Sequence, residues 1–166
     1  YKVIGNGPPL LLLHTFRNRL EYSDLLAQEL MNDYSIYTLD LPGFGESPIN
    51  IETNYDQEYF TMAITEFITK LDLSDVTIAG ESIGGILPTT VSLKIPNRIK
   101  KRLCINPYDY DTKCAEGIRR GNFFANFILF HVGLPIIGSF FVMLEIKFIL
   151  KNIVAGGFVD KARLRK

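Results

Sequence analysis

The segment Gly80-Glu81-Ser82-Ile83-Gly84-Gly85 places a serine between glycines two positions before and two positions after it. A hydroxyl attacks a carbonyl carbon efficiently only when it stands clear of the fold and a base takes its proton. A sharp strand-to-helix turn meets the first condition, and side chains at the two flanking positions would crowd so tight a corner. The helix leading out of the turn adds free backbone N–H groups, and that of Ile83 points where a tetrahedral oxyanion forms. The plainer reading of the same residues is a glycine-rich turn with an N-capping serine.

The elements around the motif suit the first reading. Leu10-Leu11-Leu12-Leu13, entered through the turn Gly5-Asn6-Gly7-Pro8-Pro9, reads as a central parallel strand buried on both faces. Residues 20–31 carry Tyr22, Leu25, Leu26 and Leu30 at helical spacing and predict an amphipathic helix buried on that face. A second strand follows at 35–39, and then the turn-rich loop 40–48. A second helix is expected over 55–71, with Phe60, Ala63, Ile64, Phe67, Ile68 and Leu71 forming its buried stripe. A third strand at 76–79 leads into Ser82, a third helix runs over 83–95, and a fourth strand occupies 102–105. Alternating strands and helices with short connections predict an α/β fold, a mostly parallel sheet with helices on both faces.

Three pieces together carry a resemblance: His14-Thr15-Phe16 after the four leucines, Asp40-x-Pro42-Gly43-x-Gly45-x-Ser47, and Gly80-x-Ser82-x-Gly84-Gly85. Over about residues 1–110 the chain resembles the α/β-hydrolase superfamily, in its serine-nucleophile branch. The resemblance implies that Ser82 is the nucleophile, that His14 is the structural histidine of the oxyanion loop, and that the Phe16 N–H joins that of Ile83 as an oxyanion donor. Family members commonly have glycine where Thr15 stands.

The motif order is nucleophile, acid, then histidine, and neither histidine of the chain suits the base. His14 precedes Ser82, and His131 lies in a Phe-rich apolar run where a packed histidine is the simpler reading. The expectation is an N-terminal part of the enzyme, with acid and base on strands beyond Lys166. Asp109 or Asp111 could supply the acid in a variant arrangement, while Asn106-Pro107-Tyr108-Asp109 also reads as a turn leading onward. Residues 1–113 are accordingly read as an incomplete hydrolase core, and 114–166 as the start of a helical cap or lid.

Composition narrows the substrate. Eighteen basic and eighteen acidic residues give zero formal charge, so nothing draws the chain to nucleic acid. The run Arg98-Ile99-Lys100-Lys101-Arg102 reads as a solvated element end. Phe- and Ile-rich sequence over 123–153 allows a membrane span or anchor, but its Gly133-Leu134-Pro135 break favours two shorter helices. An aromatic cap would favour an apolar acyl or alkyl carbonyl substrate. Cys104 and Cys114 have no metal-ligand spacing, and Cys104 is expected as a buried, inert thiol. Gly43-Phe44-Gly45-Glu46-Ser47 lacks the lysine of a phosphate-binding loop, so no nucleotide, metal or organic cofactor is implied. No leader is visible behind Tyr1, and a reducing, cytoplasmic setting is expected. The reading is a serine hydrolase of esterase, lipase or thioesterase type. Its rival is a catalytically silent relative that binds a small apolar ligand or a partner.

Overall fold

The computed structural model describes residues 1–16 and 18–107. Asp109, Asp111, His131, the 123–153 run and the expected cap over 114–166 lie outside the described residues.

Among the described residues the chain forms one five-stranded sheet. In chain order the strands are β1 (Lys2–Ile4), β2 (Pro9–Leu13), β3 (Ser35–Leu39), β4 (Val76–Glu81) and β5 (Ile99–Ile105). They stand side by side as β1-β3-β2-β4-β5, parallel except for β1, which runs antiparallel to β3. The leucines of β2 are central, as their continuous apolar run predicted. β1 is an addition: Lys2-Val3-Ile4 is too short to carry an alternation that sequence periodicity can detect, and the strand forms by pairing Val3 with Tyr37.

Three α-helices connect the parallel strands: α1 (Asp24–Leu30), α2 (Gln57–Lys70) and α3 (Ile83–Lys94). Alternation along the strands divides the core into two layers. Leu11, Leu13, Leu39, Val76 and Ile78 face α2 and α3, meeting Phe60, Ile64, Ile68, Leu87 and Val91. Leu10, Leu12, Ile36 and Ala79 face the other way, toward Ala27 of α1. Helices thus cover both faces. Asp56 caps α2 by accepting the Tyr59 N–H at 2.9 Å, which ties the helix start to a defined residue.

Two expectations are corrected. The helix predicted over 20–31 splits into a 3-10 turn (Leu20–Ser23) and α1, and its buried residues are Leu20, Ser23 and Ala27. Tyr22, Leu25 and Leu26 are exposed, Leu25 at 70%. The 3-10 turn changes the angular phase of the side chains, so the apolar stripe and the buried stripe no longer coincide. Cys104 is exposed instead of buried, because β5 lies at the end of the strand order and Lys100–Ile105 are all open. The basic run begins at Arg98, the last residue of a 3-10 turn (Pro96–Arg98), and continues into this strand, with Arg98 donating to Asp72 at 2.9 Å and Arg102 to Ser92 at 3.0 Å. No helix among the described residues is long and apolar enough to cross a membrane.

Candidate active site

All three motif segments sit at the carboxyl ends of parallel strands: His14 follows β2, Asp40 follows β3 and Ser82 follows β4. Open α/β sheets gather their ligand sites at this edge, because the loops there leave a crevice between strand ends and helix starts.

Ser82 joins β4 directly to α3 with φ 55° and ψ −117°. A positive φ for a residue with a β-carbon is a strained conformation, costing about 1–3 kcal/mol. The surroundings hold it there. The Ser82 N–H donates to the Ile105 carbonyl at 3.0 Å, and the Gly85 N–H donates to the Ser82 carbonyl at 2.9 Å. The side chain is half-buried and makes no capping hydrogen bond to α3, so its hydroxyl does not play the N-cap part.

The glycines make the corner possible. A β-carbon on Gly80 would run into the Gly84 carbonyl, and one on Gly84 would lie 2.6 Å from the His14 carbonyl oxygen. On Gly85 it would lie 2.9 Å from the Ile105 carbonyl. The first turn of α3 is therefore wedged among β4, the end of β2 and the end of β5, with no room for a methyl group.

His14 is 1% exposed. Its Nε2 accepts the Leu41 N–H at 3.0 Å, which places the ring proton on Nδ1, and Nδ1–H donates to the Thr15 carbonyl at 2.8 Å. Burial lowers its pKa below the ordinary 6.5, outweighing the Thr15 hydrogen bond and the nearby Asp40 charge. Both nitrogens are engaged, so His14 fastens the loop after β2 to the loop after β3. It cannot also accept a proton from Ser82.

Phe16 is 55% exposed, with its ring edge-on to Phe44 at 5.6 Å between centroids. Phe44 in turn meets His14 at 5.4 Å, so a short aromatic stack lines the rim. Asp40 organises the loop that follows β3. Its carboxylate accepts the Leu20 N–H at 2.7 Å and the Glu46 N–H at 2.9 Å, and its carbonyl accepts the Ser47 hydroxyl at 2.8 Å. Burial pushes the Asp40 carboxyl up, but the two amide donors outweigh it and hold the group below its ordinary range.

Sequence reasoning treated 40–48 as a turn and did not foresee that Asp40 reaches back to the start of the 3-10 turn. It also missed Tyr22 and Glu81, whose side chains meet at 2.6 Å. A cleft of about 600 Å³ opens beside this loop, lined by Asn18, Arg19, Glu21, Tyr22, Gly43, Phe44 and Gly45. Among the described residues no cluster of His, Cys, Asp or Glu could hold a metal ion.

A mostly parallel sheet flanked by helices on both faces, with a serine at a strained strand-to-helix corner, defines an α/β-hydrolase-type scaffold. The family model described as alpha/beta hydrolase fold matches residues 8–127, and the chain belongs to that family. It is 30% identical over 110 residues to 1-acylglycerol-3-phosphate O-acyltransferase ABHD5 of Mus musculus, covering 64% of this chain and 31% of that protein. It is 31% identical over 102 residues to (E)-2-((N-methylformamido)methylene)succinate hydrolase of Acinetobacter baylyi, covering 61% of this chain and 38% of that protein. The chain thus spans about a third of the length of these curated relatives. Among solved structures, E-2-(acetamidomethylene)succinate hydrolase superposes with a TM-score of 0.64 at 22% identity, over 71% of this chain and 44% of that one, a likeness of fold alone.

Proposed function

We propose that the protein carrying this chain is a serine hydrolase acting on an ester, thioester or related carbonyl substrate with an apolar acyl group. The observation that carries the reading is the Ser82 backbone at φ 55°, ψ −117°, with a side chain free of any capping bond. Strain of this kind persists where the surrounding structure enforces it, and it clusters at reactive residues.

In this reading the Ser82 Oγ attacks the carbonyl carbon while its proton passes to a histidine from outside residues 1–107. The developing oxyanion takes hydrogen bonds from the backbone N–H groups of Phe16 and Ile83. Collapse releases the alcohol or thiol, which receives the proton, and water then cleaves the acyl-serine. Exposed Phe16, edge-on to half-buried Phe44, suits an apolar acyl chain. One curated relative is named as an O-acyltransferase and the other as a hydrolase. An acyl-serine serves either outcome, with an alcohol or water as the acceptor.

A fluorophosphonate probe applied to the full-length protein is expected to form one adduct, on Ser82, and the Ser82→Ala variant is expected to form none. An adduct of equal yield in Ser82→Ala would remove the assignment. A parent protein that stays unlabelled while binding apolar ligand would favour the silent-binder reading.

A further inference from the structure

One side-chain hydrogen bond joins the loop after β2 to the corner that carries Ser82. Tyr22, in the 3-10 turn, donates its hydroxyl to Oε2 of Glu81 at 2.6 Å across 59 residues of sequence. Glu81 is the last residue of β4 and the immediate neighbour of Ser82. Its backbone is in register with Ile105, whose carbonyl holds the Ser82 N–H, so the acceptor sits on a fixed part of the sheet.

The donor is equally well placed. The segment from His14 to Tyr22 contains the Phe16 amide and is pinned at its start by the bond between His14 and Leu41. Toward its end Leu20 is held by Asp40. Both of those bonds tie the segment to the loop after β3, whereas Tyr22 ties it to β4 itself. We propose that Tyr22 and Glu81 form a strut that sets the spacing between the Phe16 amide and Ser82, which makes Tyr22 a positioning residue for acyl transfer. The inference rests on the reading of Ser82 as nucleophile.

The chemistry suits a strut. A phenol donating to a carboxylate at this length belongs to the charge-assisted class, the strongest side-chain hydrogen bonds in proteins. The bond to Glu81, together with burial, raises the Tyr22 hydroxyl to about 12, so it remains a donor throughout the working pH range. The bond also engages one oxygen of a carboxylate that stands one residue from a site where negative charge develops. Oxyanion donors act only within a few tenths of an ångström of their best position, and a misplacement of 1 Å can cost about a hundredfold in rate. The Tyr22 ring is half exposed, so Tyr22→Phe deletes the hydroxyl with little change in packing.

The test compares the full-length parent, Tyr22→Phe, Glu81→Gln and the double variant, by fluorophosphonate labelling rate and by hydrolysis of a p-nitrophenyl acyl ester. Tyr22→Phe is expected to lower the labelling rate and kcat about tenfold while KM stays within about twofold. Glu81→Gln keeps an amide oxygen as acceptor and is expected to lose less. The double variant should be no slower than Tyr22→Phe alone, since once the donor is gone a change of acceptor has no bond left to weaken. Parental rates in Tyr22→Phe, a rise in KM at constant kcat, or losses that multiply in the double variant would each overturn the strut. A parent unlabelled at Ser82 overturns the nucleophile and the strut together, whereas labelling that needs Ser82 but ignores Tyr22 overturns the strut alone.

Discussion

His14 shows how one buried side chain can fasten two loops beside the Ser82 corner with no ring nitrogen left free. Its two nitrogens are committed to Leu41 and Thr15, and that geometry exists only for the neutral ring. Because burial lowers its pKa below 6.5, the unfolded chain binds a proton that the folded chain excludes. The stabilisation is therefore complete above about pH 6.5 and drains away as the pH falls below that value. The urea midpoint is expected to drop between pH 7.5 and pH 5.5 in the parent and to drop distinctly less in His14→Asn. Equal drops in the two proteins would show that His14 is not the titrating group. Asp40 adds a second loss at lower pH, as its depressed carboxyl is forced to protonate below its ordinary 3.8.

At the scale of elements, α1 and α2 make opposite cases. The stripe read for α2 packs as expected, with Phe60, Ile64 and Ile68 buried against the sheet. Of the stripe read before and within α1, Tyr22, Leu25 and Leu26 stand open, and only Leu30 joins Ala27 in packing against the sheet. Substitutions should report the difference. Ile68→Ala removes methylene groups from a site with no exposure and is expected to cost roughly 3 kcal/mol. Leu25→Ser, on the open face, is expected to change stability by no more than about 0.5 kcal/mol. Chemical denaturation of the two variants decides the matter, and comparable losses would mean that the open face is covered in the folded protein.

For the whole molecule, the sheet is unevenly dressed. Its β1 end finishes on a three-residue antiparallel strand, whereas β5 is seven residues long and has no outer partner among the described residues. Leu103 and Ile105 are 52% and 48% exposed on that strand. A long strand with an unpaired edge and open apolar side chains is a template for pairing with another copy. Residues 1–166 produced alone are expected to self-associate at micromolar concentration, and Leu103→Lys is expected to shift the population toward monomer. Sedimentation velocity tests both, and a monomeric parent at that concentration would count against the exposed edge. The chain spans about a third of the length of the curated relatives it matches.

What the sequence determined by itself is what near neighbours decide. Four consecutive leucines make a central strand, and small residues around Ser82 permit its corner. Alternating strand and helix make the sheet parallel, because these depend on backbone sterics and on the period of apolar residues. Three signatures spaced along one chain were enough for the family. The tertiary structure decided the rest: that Asp40 holds Leu20, that His14 holds Leu41 across 27 residues, and that Tyr22 turns away from the core to meet Glu81 across 59. It also decided that Cys104 stands in the open. Such partnerships arise only when folding sets distant segments side by side, where burial and hydrogen bonding select the partner and no local pattern announces it.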